Sequence, residues 1–346
     1  MTKNQIIESL YKVMCSSTSS VSDSRVTNND YFKRRVLGFK AEVEFENLMQ
    51  SRSDTKFLEG GQLISKKLSG DSRDKNSFIY TTISSDNEID YVNIYKKMST
   101  WEEIKQLLYI KINLNDWETE QFETKKSKRP ERSQDHILKP KFTFYLFNAV
   151  SGKFNVIQNG NFDFILNSFS ISTQKVRKFP LRKREQFDYF NNYDIKILQK
   201  IYATRYFLDV VMRKAQGRQI IDLDGFVFIN SNLFLVEIKE KTPISNGTTN
   251  LQSWQYGWDS RRILWYLYLL NKINIPIIYN VRQVNNREDR LFVQWDSILL
   301  SDFLTGVSWS NSRGGGGGED TLLAPYTFFI RLENLLSTLL VIDKDG

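Results

Sequence analysis

The sequence predicts an α/β fold: a mixed central β-sheet flanked by helices, with further N-terminal and C-terminal segments. Two observations carry this expectation. Between residues 194 and 281 the hydrophobic periodicity switches in the order α-β-β-α-β. The two adjacent strand-like segments, 219–229 and 233–239, are apolar at both odd and even positions. Strands buried on both faces belong to sheets covered by helices on both sides.

Residues 1–30 are rich in Ser, Asn and Thr, with a short helix expected at 4–14. A helix follows at 30–50, where Asp30 can serve as N-cap and Leu37, Ala41, Phe45 and Leu48 fall on one face. Lys33, Arg34 and Arg35 make its first turn basic, which suits an external anion or a solvated face equally. Residues 55–190 are expected to be β-rich, with strands at 78–83, 142–147, 154–157 and 162–166 and a helix at 101–109. Two basic stretches, 125–132 and 175–184, fall in this region. The second holds Lys175, Arg177 and Lys178 among aromatic residues, a composition suited to nucleic acid.

A long helix is expected at 194–214, ended by Gly217, then the two strands, then a polar loop at 245–250. An apolar helix at 252–271 and a strand at 275–281 complete the pattern. Beyond it come a strand at 291–295, a glycine run at 314–318 and a helix at 326–340. The chain thus reads as an N-terminal region, 1–190, and a core with a C-terminal extension, 191–346.

Composition narrows the chemistry. The 346 residues carry 48 Lys+Arg against 40 Asp+Glu, and the net charge of +8 favours a polyanionic partner, nucleic acid first. One cysteine, Cys15, leaves no disulfide framework and no Cys-based zinc or iron–sulfur site. One histidine, His136, leaves no multi-histidine metal cluster, and it has no nucleophile motif nearby. Hydrolytic chemistry must then rest on carboxylates, lysines and a hard metal. No apolar leader segment is seen in residues 1–30 and no apolar run is long enough to span a bilayer, so no membrane association and a cytoplasmic, prokaryotic or phage-like setting are expected.

If Asn230 and Ser231 form a two-residue hairpin turn, cross-strand partners sum to 461 and Asp224 faces Glu237. With period 2, Asp222, Asp224, Glu237 and Lys239 then share a face with Phe226, Phe228, Leu233 and Leu235. Carboxylates beside such a core are costly unless paired or metal-bound. Asp224 and Glu237, helped by the Ile238 carbonyl, would hold Mg²⁺ (or Mn²⁺), and Lys239 would orient the attacking water or stabilise developing charge. The bland alternative is a structural ion pair at a sheet edge.

Here the chain resembles the PD-(D/E)XK nuclease superfamily. The pattern is an Asp on one strand and (Asp/Glu)-X-Lys on the next: Asp224, followed by Glu237-Ile238-Lys239. Leu223 stands where the motif's Pro would be, and Asp224-Gly225 matches a frequent family variant. The resemblance covers about residues 195–285. It implies a restriction-endonuclease-like core acting on duplex DNA, with Mg²⁺, as a homodimer. It also implies accessory residues. Glu42 in Gly38-x-x-x-Glu42 would support the metal, with Asp209 as the alternative. Gln252 in Gln252-x-x-x-Tyr256, on the helix expected there, would contact the phosphate or a metal-bound water. Lys241, Tyr256, Arg261 and Arg262 would contact DNA. The leading expectation is a type II restriction-type endonuclease. A repair, recombination or transposition nuclease, an RNA-directed nuclease and a non-catalytic nucleic-acid-binding module remain open beside it.

Overall fold

The computed structural model describes residues 1–16, 29–66, 77–125, 132–158, 160–167, 170–171, 184–212, 215–216, 218–244, 255–286, 289–314 and 320–342. In chain order the elements begin with α1 (Lys3–Ser16), α2 (Asn29–Gln50), β1 (Thr55–Lys66), β2 (Phe78–Ser84), α3 (Val92–Ser99), β3 (Ile104–Lys125), β4 (Arg132–Asn148) and β5 (Lys153–Val156). There follow α4 (Asp163–Leu166), β6 (Ser170–Ile171), α5 (Ile195–Tyr206), β7 (Ala215–Gln216), β8 (Arg218–Ile229), β9 (Asn232–Lys241), β10 (Gln255–Asp259) and α6 (Ser260–Ile273). The rest are β11 (Ile277–Val284), β12 (Phe292–Leu299), α7 (Leu300–Gly306), β13 (Ser308–Gly314), β14 (Asp320–Pro325), β15 (Ile330–Arg331) and α8 (Leu332–Ile342). The α/β class expected from the sequence is what forms.

The chain divides into two compact units, one made of Met1–Phe39 with Gly61–Asp222, the other of Lys40–Gly60 with Leu223–Gly346. The divisions fall inside α2, β1 and β8 rather than at residue 190. The reason is packing: Ala41, Phe45, Met49 and Phe57 share a core with Val227, Val236, Ile238 and Leu335, far along the chain.

In the first unit, the second half of β1 pairs antiparallel with β2, β2 runs parallel to β3, and β3 and β4 form a long antiparallel hairpin edged by β5. The expected strands at 78–83 and 154–157 form with ends shifted by a residue, and 142–147 is the last part of the much longer β4, which begins at Arg132. The expected helix at 101–109 does not. From Ile104 onward that segment is strand, because it pairs in parallel with β2 (Tyr80↔Leu107, Thr82↔Tyr109). Burial of Leu107, Leu108, Tyr109 and Ile110 outweighs the local helical pattern. Residues 163–166 are the short helix α4, not a strand. Helix α5 starts where Asp194 accepts the amide of Lys196 at 2.8 Å, but gives way to a π turn at Phe207–Val211 before the expected end. No helix among the described residues is long and apolar enough to cross a membrane.

In the second unit the strands lie in the order β15-β12-β11-β9-β8, with the first half of β1 beside β8. Strands β8 and β9 are antiparallel, β9 and β11 parallel, β11 and β12 antiparallel. The hairpin register is the expected one, from Ile229↔Asn232 to Gly225↔Val236. Asn230 opens the turn with a left-handed φ of 52°. Both sheet faces are covered. Val227, Ile229, Phe234, Val236 and Ile238 pack under α2 and α8. The opposite face meets α6, whose buried Tyr266 reaches Glu237.

The expected helix at 252–271 is two elements. Its first part is β10, which pairs with β14 (Tyr256↔Ala324, Trp258↔Leu322) in a separate three-stranded sheet. Asp259 then caps α6, accepting the amides of Arg261 at 2.9 Å and Arg262 at 3.2 Å. The expected helix at 326–340 likewise begins as a single 3₁₀ turn and β15 before α8.

Candidate active site

The hairpin brings Asp224, Glu237, Ile238 and Lys239 to one place in the second unit. Next to the Gly225↔Val236 pair of β8 and β9, the Asp224 carboxylate accepts the amide of Ile238 at 2.8 Å. Gly225, the next residue, meets the packed face. A Cβ there would lie 2.3 Å from the Phe57 ring, so the aromatic can close on the backbone only beside glycine. Asp224 and Gly225 therefore serve opposite faces, one polar and one packed.

The two carboxylates are nearly sealed from solvent. The Asp224 and Glu237 side chains are 5% and 1% exposed. Lys239 Nζ bridges them, 3.0 Å from Asp224 Oδ2 and 2.8 Å from Glu237 Oε1. From α6, Arg262 Nε lies 3.3 Å from Glu237 Oε1, and its Nη2 lies 3.5 Å from Asp224 Oδ1. The Tyr266 hydroxyl donates to Glu237 Oε2. Burial pushes the Glu237 carboxyl up, but the Arg262 guanidinium and the Lys239 ammonium outweigh it and hold it at about 2. Burial disfavours the Lys239 ammonium, yet Asp224 and then Glu237 overcome this and raise its pKa above the usual lysine value. Lys239 is thus a fixed cation and hydrogen-bond donor.

The donor chemistry fits a hard divalent cation: two buried carboxylates, with the Ile238 carbonyl between Glu237 and Lys239 in the chain. An ammonium already bridges both carboxylates, so the position favours positive charge. Among the described residues no third carboxylate joins the pair in a metal-holding group. A bound ion would keep several waters, as Mg²⁺ does.

The other expected site residues are distributed differently. Glu42 is half-buried on α2, the helix that covers the opposite sheet face through Ala41, Phe45 and Met49. Asp209 pairs with Arg205 in the first unit. Tyr256 is a correction: it lies on β10, buried, with its hydroxyl donating to Asp296 Oδ2 at 2.8 Å, so it faces the core and not a ligand. Lys241 Nζ donates to the Gly257 carbonyl. Burial, then the Lys239 charge, push the Lys241 amine down to about 8, against the pull of Glu237 and Asp259. Arg261 is exposed in the first turn of α6, whereas Arg262 turns onto the carboxylates. Asp222 is exposed and accepts from Gln62 at 3.1 Å in the first unit. Gln252, Lys175, Arg177 and Lys178 lie outside the described residues.

Sequence reasoning missed Tyr266 and the inward role of Arg262. The signal was their i,i+4 spacing on an apolar helix, which places both on one face; the guanidinium lies 5.7 Å from the Tyr266 ring centroid.

Comparison with protein-family models, with curated proteins and with solved structures finds no match.

Proposed function

We propose that this chain is a Mg²⁺-dependent DNA endonuclease of the PD-(D/E)XK type. The observation that carries the reading is the meeting of Asp224, Glu237 and Lys239 at the end of the β8–β9 hairpin, within 3.0 Å contacts and beside a fully apolar core. Asp224, Glu237 and the Ile238 carbonyl would hold the ion. When bound, it supplies a neutralised scissile phosphate and a water of lowered pKa. Glu237, held at about 2, stays ionised at neutral pH and acts as a ligand, not as a general acid. Lys239, with its raised pKa, stays protonated and donates hydrogen bonds to the charge that develops on the phosphate. Tyr266 fixes the second oxygen of Glu237.

Duplex DNA is the proposed substrate, supported by the net charge of +8, and a restriction-type, site-specific homodimer is the proposed form. The test is nicking of supercoiled plasmid in Mg²⁺, with Asp224→Ala as control. Discrete fragments from a long duplex would support site specificity, and a smear from free ends would favour a repair-type nuclease. A second reading, a nucleic-acid-binding module without cleavage, draws on Lys239 and Arg262 balancing both carboxylates by themselves. Duplex binding without cleavage of DNA or RNA in Mg²⁺ or Mn²⁺ would select it.

A further inference from the structure

Four charged groups meet at the site: Asp224 and Glu237 supply two negative charges, Lys239 and Arg262 two positive ones. The cluster is neutral as it stands. A divalent cation entering it would leave two surplus positive charges within a few ångströms of one another, in a setting where water screens little. One resident cation must then leave, and distance decides which. Lys239 holds both carboxylates at 2.8 and 3.0 Å, whereas the Arg262 contacts are 3.3 and 3.5 Å. Arg262 stands farther from the carboxylates than Lys239 does. Exposure does not separate the two, the Lys239 side chain being 38% exposed and that of Arg262 22%, but Arg262 stands in the first turn of α6 beside the exposed Arg261.

We infer that Arg262 is an internal counter-ion that a divalent metal displaces from Asp224 and Glu237, and that the released guanidinium becomes a ligand for the DNA phosphate. The inference rests on the nuclease reading of the same site and adds to it a coupling between metal loading and substrate capture. In the metal-free protein the guanidinium neutralises the carboxylates. In the loaded protein its planar fork is free for the phosphate oxygens, a geometry to which guanidinium is suited. The metal-free cluster is neutral, and with the ion bound and Arg262 displaced it carries one surplus positive charge, which a DNA phosphate can offset.

The experiment uses the full chain and reads ion and DNA binding without cleavage. Mn²⁺ affinity is measured by calorimetry in the absence of DNA. Duplex affinity is measured by anisotropy in Ca²⁺ at several salt concentrations. For Arg262→Gln, Mn²⁺ binding should tighten about tenfold, because a competing unit charge is gone. Duplex binding should weaken by about tenfold and its salt slope should fall by roughly one. A merely structural arginine would not move the two affinities in opposite directions. Mn²⁺ binding by Arg262→Gln that is equal to or weaker than wild type overturns the inference while leaving the nuclease reading intact. Absence of Mn²⁺ binding by both proteins overturns the metal reading itself, and the inference with it. Should Arg262→Gln not fold, Arg262→Met, of similar length and uncharged, is read in the same way: Mn²⁺ affinity above wild type supports displacement, and equal or lower affinity overturns it.

Discussion

The hydroxyl of Tyr266 donates a hydrogen bond to Oε2 of Glu237, joining the middle of α6 to a carboxylate that is 1% exposed. Lys239 and Arg262 hold the other oxygen, so both oxygens of the acid are engaged. Tyr266→Phe deletes one donor and leaves the ring in place. It should destabilise the protein by about 1–3 kcal/mol, the usual cost of stranding a buried acceptor. Urea unfolding would measure this. Cleavage should fall but persist, since the proposed metal ligands and Lys239 remain.

Glu237→Gln and Asp224→Ala each remove a carboxylate from the proposed metal site, and each should lower plasmid cleavage by about 10³-fold or more. Circular dichroism would check that both remain folded. Lys239→Ala should abolish turnover while duplex binding stays measurable, because the role proposed for Lys239 is to act on the reacting phosphate. Near-wild-type Mg²⁺-dependent cutting by either carboxylate variant would refute the site assignment.

With only two carboxylates in the pair, activity should depend on ions that keep several waters. Mg²⁺ or Mn²⁺ should support cleavage and EDTA should stop it. Ca²⁺, larger and less demanding in geometry, should support duplex binding with little cleavage. Parallel gel-shift and nicking assays separate the two effects, and hydrolysis that continues in EDTA would sink the mechanism.

The Glu237 charge also sets a pH dependence of stability. Burial opposes ionisation, but Arg262 and Lys239 outweigh it and the folded carboxyl titrates at about 2. In the unfolded chain a glutamate titrates near about 4.3. A folded pKa below the unfolded one contributes stability that is complete above the unfolded value and is lost as pH falls through the folded one. Wild type should therefore lose unfolding free energy between roughly pH 5 and 2 more steeply than Glu237→Gln. Urea titrations across that range give the answer, and parallel curves would contradict the assignment. At neutral pH Glu237 is ionised, so it does not shape the cleavage profile there.

The parts legible in the sequence were those fixed by short-range geometry. A two-residue turn at Asn230-Ser231 determines every pairing between β8 and β9, and period 2 then places Asp224, Glu237 and Lys239 together. Tyr256 was misplaced because the partner that makes it strand is Ala324, about seventy residues on, and a window of apolar residues carries no trace of such pairing. The Asp259 cap was a local signal that the helix begins later. Residues 104–109 went the same way, since parallel pairing with β2 decides them. From the sequence Arg262 reads as a DNA contact, because a helix wheel shows which face a residue shares but not that two buried carboxylates lie opposite it.

Gly225 offers the last test, because it links the core to the site without touching the chemistry. Its position on β8 lies under Phe57, which packs against Phe45 at a centroid distance of 6.1 Å. A methyl group at 225 would stand 2.3 Å from one ring carbon of Phe57 and 2.5 Å from another, well inside contact distance. Phe57 is 6% exposed and enclosed by α2 and the sheet, so it has little room to yield. Gly225→Ala should cost about 1–3 kcal/mol as an overpacking change. Because Asp224 is the preceding residue and its carboxylate is set by the same stretch of backbone, cleavage should fall as well. Phe57→Leu in the same chain makes room for the methyl group, so the double variant should be less destabilised than the sum of the two single changes. A double-mutant cycle by urea unfolding, run beside the nicking assay, measures both effects. Strict additivity of the two substitutions would show that the Phe57 contact is not what requires glycine at 225.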